Sequence, residues 1–304
     1  MTNIVQVLID AVALGSLYAL VALAIGLVFG VMRLVNFAQG DYITVGAYSL
    51  VIPTFAATPA MMFGALPTVA MIFCVVLTVT ILALLTERLA FRPLRNSDPT
   101  TLLISSFAVS YFLQSLILML HGGRPKAINI GESLTTAVQL FGIRIPGVQL
   151  LTMGVAVTLL VTLVLFLKKT PIGIQLRAAA ENFQMARLLG VPANRVIAIA
   201  FAISGILGGT ISLLFVIQTG TLDIRMGVMP TVYAFFATVI GGIGSLPGAV
   251  VGGYIVGIVS VLLQSYLPEE MRAFRDAGVF TLVILILLVR PQGLIVTSAA
   301  KERV

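Results

Sequence analysis

The polar residues that interrupt the apolar runs of this chain are its strongest candidates for chemistry. The first group lies at 36–42 and comprises Asn36, Gln39, Gly40, Asp41 and Tyr42. A short helix that begins here would point free N–H groups and the positive end of its dipole at a polar solute. The alternative is a tight cytoplasmic turn that is capped by Asn36 or Asp41.

A second group interrupts a long apolar run at 241–248 and comprises Gly241, Gly242, Gly244, Ser245 and Pro247. Clustered glycine and proline end a helix or bend it sharply. Paired interrupted segments of this kind are typical of the central site of a transporter, where unwound backbone lines a cavity. The alternative is an ordinary turn between two antiparallel helices.

Enzyme chemistry has little support in this sequence. The chain contains no nucleotide-binding loop of the form Gly-x-x-x-x-Gly-Lys-[Ser/Thr]. Its one histidine, His121, and its one cysteine, Cys74, are too few for a metal-ligand set. Ser245 lacks a base, because His121 falls on the other side of the membrane in the topology predicted below. We therefore predict no catalytic residue, no metal site and no cofactor bound by this chain.

The surroundings of both polar groups are those of a membrane protein. Of the 304 residues, 59% are hydrophobic and 10% are charged, and the mean hydropathy is +1.13. A soluble domain carries about 25% charged residues, so this chain lacks the charged coat that a soluble domain needs. Its uncharged runs are continuous rather than alternating, and several reach the roughly 20 residues with which a helix crosses a bilayer.

The spacing of the charged residues predicts an all-α polytopic membrane protein. We expect about eight or nine transmembrane helices in a single domain, 1–304, with discontinuous segments near 36–42 and 241–248. The first apolar run has no basic start and no evident cleavage site, so it is predicted to be a retained helix. One set of alternate loops holds twice as many Lys and Arg residues as the other. The positive-inside rule then places the N-terminus outside and the C-terminus in the cytoplasm.

The net charge of +7 is explained by this loop asymmetry and by attraction to anionic lipid. It does not predict binding to nucleic acid.

Two loops are long enough to meet partners, an external loop at 121–148 and a cytoplasmic loop at 168–196. In the cytoplasmic loop, Pro171 can begin a helix and Gly190 can end one. One face of that helix carries Ala179, Phe183, Ala186 and Gly190, and its flanks carry Arg177, Glu181 and Arg187. Such a helix either docks into a groove on a cytoplasmic partner or lies on the inner leaflet of the membrane.

Several segments, in the same order along nearly the whole chain, together resemble LivH-type permeases of branched-chain amino acid ABC importers. They are Gly15–Leu20, Val35–Asp41, Gly46–Tyr48, Arg177–Ala186, Leu189–Val191, Arg195–Val196, Gly241–Ala249 and Arg290–Leu294. Urea importers use closely similar chains, so a urea or amide permease is the alternative within this class. A secondary transporter or channel that works alone is the alternative from another class.

The resemblance implies a multi-pass permease of the bacterial inner membrane that passes branched-chain or other hydrophobic amino acids inward by alternating access. The partners that it implies are a LivM-like second permease, two ABC ATPase subunits that use ATP, an extracytoplasmic solute-binding protein and the lipid bilayer. It further implies that coupling to the ATPases involves Arg177, Ala179, Ala180, Glu181, Phe183, Ala186, Arg187 and Gly190. The groups at 36–42 and 241–248 would then belong to the substrate path.

Overall fold

The computed structural model describes residues 2–95, 97–130, 137–140 and 143–295. Met1 and 296–304 of the predicted domain 1–304 lie outside the described residues, as do 131–136 and 141–142 of the predicted loop 121–148. Within the described ranges the regular structure is helical, apart from two pairs of short antiparallel strands. The all-α architecture that the sequence predicts is confirmed.

The described residues form eleven α-helices: α1 Thr2–Met32, α2 Gln39–Tyr48, α3 Thr68–Thr86, α4 Pro99–His121, α5 Gly147–Lys169, α6 Pro171–Glu181, α7 Phe183–Leu188, α8 Ala193–Thr219, α9 Val228–Gly241, α10 Leu246–Tyr266 and α11 Arg275–Val289. A π-helical turn, Glu87–Phe91, extends α3, and 3₁₀ turns occur at Phe63–Ala65 and Glu269–Phe274. Strand β1 (Lys126–Ala127) pairs with β4 (Thr221–Leu222), and β2 (Ala137–Leu140) pairs with β3 (Ile143–Pro146).

Six helices are long and apolar enough to cross a bilayer, namely α1, α3, α4, α5, α8 and α10. Helices α2, α9 and α11 are shorter, with 10, 14 and 15 residues. Of these three, α9 is apolar enough to be a short membrane helix. Among the described residues, the six long helices and the shorter ones are roughly consistent with the eight or nine segments that the charge spacing predicts.

One end of the bundle, which we call the basic end, is where α1 ends, α6 and α7 lie, and α9 turns into α10. Its cationic residues are Arg33, Arg88, Arg92, Arg95, Lys168, Lys169, Arg177, Arg187 and Arg195. At the opposite end, Lys126 Nζ donates hydrogen bonds to the Thr54 carbonyl at 2.6 Å and the Ala56 carbonyl at 2.7 Å. Burial lowers the pKa of this lysine, because its charged form is removed from water.

Helix α1 is the centre of the bundle. It is apolar on all sides, and its residues from Leu17 to Val28 are almost all buried inside the chain. Glycines let α10 approach it closely: a Cβ on Gly257 would lie 2.3 Å from Gly15 Cα, and one on Gly253 would lie 2.4 Å from Ala19 Cα. Small residues are what membrane helices use for contact at this range, because apolar burial does not drive association within lipid.

Helices α3 and α8 form a second close pair. A Cβ on Gly205 would lie 2.7 Å from Thr80 Cα, and one on Gly209 would lie 2.8 Å from Val76 Cα. In contrast, α3, α4 and α5 each leave most of their apolar surface exposed. Exposed side chains such as Phe73 suit contact with lipid or with another membrane chain.

Replacing Gly257 with Val should lower the stability of the chain by about 1–3 kcal/mol or more, because the new side chain overlaps the backbone of α1. The measurement is thermal unfolding of the detergent-purified chain. Gly154→Val is the matched control, since a Cβ at Gly154 meets no atom within 4 Å. Equal unfolding temperatures for the two variants would contradict this account of the α1–α10 contact.

Candidate functional site

The first polar group forms the start of α2. After α1 ends at Met32, Arg33 adopts a positive φ of 53°, which is uncommon for a residue with a side chain. The Asn36 side chain then accepts a hydrogen bond from the Ala38 N–H at 3.1 Å and donates to the Tyr42 hydroxyl at 3.4 Å. The turn at 33–38 is therefore held by a buried asparagine rather than by solvent.

Helix α2 is fixed beside the middle of α8 by a reciprocal pair of hydrogen bonds. The Ser204 hydroxyl donates to Gln39 Oε1 at 2.7 Å, and Gln39 Nε2 donates to the Ser204 carbonyl at 3.3 Å. Both residues are buried, so these bonds satisfy polar groups that would otherwise carry a large desolvation cost. Helix α2 thus begins at the depth of the middle of α8, as expected for a discontinuous segment.

Two further contacts hold α2 from other sides. A Cβ on Gly40 would lie 2.6 Å from the Gly227 carbonyl, so the backbones before α9 and at the start of α2 touch directly. The Thr44 hydroxyl accepts from the Gly227 N–H at 3.3 Å. Asp41 is buried beside α4, and its Oδ1 has no hydrogen-bond partner among the described residues.

The structure therefore places the five predicted residues of this group inside the chain. They are Asn36, Gln39, Gly40, Asp41 and Tyr42, all of them buried. Their contacts join α2 to α4, α8 and the start of α9. That they contribute to a solute path stays a prediction.

The second polar group is a tight connection between antiparallel α9 and α10. Gly242 and Gly244 have positive φ values of 107° and 89°, which explains why glycine is used there. Ser245 caps α10 by accepting the Gly248 N–H at 3.1 Å, and Pro247 lies in the first turn of that helix. This capping arrangement is the usual start of a helix.

The C-terminal segment closes over this connection. Leu294 N–H donates to the Ile240 carbonyl at 2.8 Å, and Ile295 N–H donates to the Gly241 carbonyl at 3.0 Å. These bonds satisfy the last carbonyls of α9, which have no partner within the helix. The 241–248 break is thus both a turn and a point where three segments meet.

A cavity of about 1010 Å³ at the basic end connects this turn with the coupling loop predicted at 168–196. From the turn it is lined by Gly244, Ser245 and Pro247, and from α6 by Arg177, Ala180 and Glu181. The structure therefore brings together six residues that the sequence assigns to two separate sites. Gly241 and Gly242 do not line the cavity; their backbones contact Gly248 and Ile295, respectively.

Arg33 also lines the cavity, although sequence reasoning did not select it. The one signal available was its position as the first charge after the first apolar run. Within the described residues, Arg33, Arg177 and Glu181 form no ion pair with one another or with other side chains. The described residues also contain no group of three or more His, Cys, Asp or Glu side chains that could hold a metal ion.

The loop at 168–196 contains two helices rather than the single predicted helix between Pro171 and Gly190. The break is at Asn182, whose φ is −146° and whose side chain accepts the Met185 N–H at 3.0 Å. An asparagine that caps a new helix competes with continuation of the old one. The predicted start at Pro171 is confirmed, with Thr170 as the cap.

Most of the predicted face of this loop points inward. Ala179 and Ala186 are buried, and Phe183 is half-buried against the core, whereas Gly190 is exposed. That these residues take part in coupling to the ATPases stays a prediction. The apolar residues Met185, Leu188 and Leu189 are 58%, 81% and 85% exposed. Arg187 is exposed as well.

Comparison with known proteins gives a consistent result. The family described as "Branched-chain amino acid transport system / permease component" matches residues 7–289. The high-affinity branched-chain amino acid transport system permease protein LivH of Escherichia coli (strain K12) is 33% identical over 299 residues, which cover 95% of this chain and 94% of that protein. BraD of Pseudomonas aeruginosa, named as the same kind of permease, is 32% identical over 298 residues, 95% of each chain.

Among solved structures, PsaBC from Streptococcus pneumoniae in complex with Fab shares the fold. Its TM-score is 0.51 at 15% sequence identity, and the match covers 94% of this chain and 92% of that chain.

Replacing Ser204 with Ala should lower the free energy of unfolding by about 1–3 kcal/mol, because Gln39 Oε1 is left buried without a donor. Ser212→Ala is the matched control. Ser212 lies on the same helix and is equally buried, but its hydroxyl has no partner among the described residues. Thermal unfolding in detergent would show a loss for Ser204→Ala only; a loss of equal size in both variants would contradict the assignment.

Proposed function

Because the chain belongs to the family of permease components of branched-chain amino acid transport systems, we propose that it passes branched-chain amino acids across the membrane as one subunit of an ATP-driven importer. The observation that carries this proposal is the similarity to LivH and BraD along 95% of the chain. The six long apolar helices supply the membrane-spanning body that such a subunit needs.

The proposed assembly contains a LivM-like second permease, two ABC ATPase subunits and an extracytoplasmic solute-binding protein. ATP is used by the ATPase subunits, and the chain itself binds no cofactor. The exposed apolar faces of α3, α4 and α5 are available for the second permease and for lipid. The bacterial inner membrane is the proposed location, with the N-terminus outside and the C-terminus in the cytoplasm.

The ATPase subunits are proposed to dock on α6 and α7 at the basic end. Leu188 and Leu189 are large, apolar and highly exposed, and they lie next to charged Arg187. Exposed apolar residues among charges are typical of a protein-binding surface. This favours docking on a partner over simple attachment to the inner leaflet.

Movement of α6 has a direct route into the bundle. A Cβ on Gly30 of α1 would lie 3.4 Å from Ala180 Cβ, and one on Gly173 of α6 would lie 2.3 Å from the Phe166 carbonyl of α5. Across the cavity, α6 faces the turn at Gly244–Pro247. Displacement of α6 would therefore change the width of the cavity between α6 and the α9–α10 turn, which is the kind of rearrangement that alternating access needs.

The solute path is proposed to involve the segments 36–42 and 241–248. Backbone groups and the neutral side chains of Asn36, Gln39 and Ser245 would offer weak contacts. Weak contacts suit a permease that receives its solute from a binding protein, because tight binding in the path would slow release. Buried charge is confined to Asp41 in these two segments.

The experiment that tests the function is reconstitution of the chain in proteoliposomes with a LivM-like permease, two ABC ATPase subunits and a solute-binding protein from the same organism. We expect ATP-dependent uptake of labelled leucine, isoleucine and valine. Uptake of urea in place of these amino acids would replace the proposed solute with that of the urea or amide class. Uptake by the chain alone, without ATPase subunits, would overturn the proposal of an ATP-driven importer.

Replacing Leu189 with Asp should reduce co-purification of the ATPase subunits by about tenfold, because a charge would be forced into the apolar contact. Gln184→Asp on α7 is the matched control, since Gln184 is exposed and already polar. Pull-down from membranes measures both. Normal ATPase recovery with Leu189→Asp would show that α7 is not the docking surface.

Replacing Phe183 with Asp should also impair ATPase docking, but by a different route. Phe183 is half-buried against the core, so we expect a lower unfolding temperature of the isolated chain as well, whereas Leu189→Asp leaves that temperature unchanged. Thermal unfolding of the purified variants distinguishes these cases. An unchanged unfolding temperature for Phe183→Asp would contradict its inward placement.

A further inference from the structure

Three side chains at the basic end join elements that are distant in the sequence. Glu87 lies in the π-helical turn after α3, Arg95 in the connection to α4, and Asn194 in the first turn of α8. One guanidinium nitrogen of Arg95 lies 3.2 Å from Glu87 Oε1, and the other donates to Asn194 Oδ1. We call these three residues the clamp.

The clamp contains an ion pair of unusual burial. The side chains of Arg95 and Glu87 are 19% and 6% exposed, whereas Arg272 and Glu269 are 50% and 88% exposed. Burying an ion pair removes two charges from water, and an apolar pair of similar size is often as stable. A contribution to stability therefore does not explain why the Glu87–Arg95 pair is placed here. The better explanation is its geometry, since Arg95 joins the end of α3 to the start of α8.

The clamp is linked through the chain to the segment where the ATPases are proposed to dock. Asn194 follows α7 after the short connection 189–192, so it anchors the far end of the 171–190 segment. Burial lowers the pKa of Arg95, and the positive charges of Arg92 and Arg187 lower it further while Glu87 opposes them.

Next to the clamp, toward the interior of the bundle, helices α3 and α8 pack against each other. Phe91, in the same π-helical turn as Glu87, is buried and packs on Phe201 of α8 with ring centres 5.5 Å apart. Further along, Gly205 touches the backbone of α3. Next to Gly205 is Ser204, which holds Gln39 at the start of α2.

We propose that Glu87, Arg95 and Asn194 are positioning residues that fix the 171–190 segment on the α3–α8 pair, so that displacement of the segment moves α2. The displacement of α7 would reach Asn194 through the short connection 189–192, and Arg95 through its hydrogen bond to Asn194. The rigid α3–α8 pair would carry it to Ser204 and Gln39. This inference rests on the proposed function, since it names the route by which the proposed ATPases would act.

The test compares Glu87→Gln with Glu269→Gln in the reconstituted importer. Both variants remove one carboxylate charge from an ion pair, but only Glu87 belongs to the clamp. We expect Glu87→Gln to retain ATPase binding and ATP hydrolysis, and to lower the amount of amino acid transported per ATP by about three- to tenfold. Glu269→Gln should leave this ratio unchanged. An unchanged ratio for Glu87→Gln would overturn the proposal.

A second pair of variants guards against simple misfolding. Asn194→Ala removes the acceptor for Arg95, and Asn194→Asp keeps an acceptor oxygen at the same place. The transport-to-ATP ratio should fall for Asn194→Ala and be restored for Asn194→Asp, while the unfolding temperatures of both stay close to that of the native chain. A loss of equal size in both variants would contradict the role of the hydrogen bond.

A readout on the purified chain separates this inference from the proposed function. Without any partner, Glu87→Gln should raise amide hydrogen exchange at 183–190 and at 36–42 by about three- to tenfold, and leave the α9–α10 turn unchanged. If the native importer shows no uptake but this exchange pattern is observed, the proposed function is rejected and the proposed role of the clamp is retained. If uptake is normal but exchange at 36–42 is unchanged in Glu87→Gln, only the proposed role of the clamp is rejected.

Discussion

The constraint on which this structure depends is that irregular backbone inside an apolar bundle must have its hydrogen bonds supplied by the protein, because lipid offers none. The start of α2 meets this constraint through Asn36 and through the Gln39–Ser204 pair. The end of α9 meets it through the N–H groups of Leu294 and Ile295. At each break in a helix, an element that is distant in the sequence thus supplies the missing hydrogen bonds. The breaks are therefore points where separate elements of the bundle contact one another.

A second feature of the bundle is the close contact between helix backbones in the pairs α1–α10 and α3–α8. Where backbones touch, as at Gly15 with Gly257 or Thr80 with Gly205, side chains are absent or small and the geometry is narrowly fixed. Those contacts make α1–α10 and α3–α8 two rigid pairs. The elements that can shift are the ones held by side-chain hydrogen bonds and ion pairs, because such contacts can be exchanged without steric overlap.

The sequence predicts the membrane class, the all-α fold and the approximate number of membrane segments, because charge spacing and continuous apolar runs are local properties of the chain. It also predicts the breaks at 36–42 and 241–248, since glycine and proline act locally. It could not predict that Gln39 faces Ser204, or that Arg95 bridges Glu87 and Asn194, because these contacts join residues far apart in the chain. The inward placement of Ala179, Phe183 and Ala186 could not be predicted for the same reason, since it depends on packing against distant helices. The break at Asn182 was missed because it depends on a single capping hydrogen bond.

The cavity at the basic end indicates where a conformational change costs least. Helix α6 contacts α1 at Gly30, α5 at Gly173 and also α8, and one side of it lines a cavity of about 1010 Å³. Moving α6 into that cavity meets open space, whereas moving α1 against α10 would force backbone atoms into overlap. A load applied to α6 and α7 should therefore be absorbed first by closure of the cavity and by the α9–α10 turn, with the glycine-packed pairs moving as rigid units.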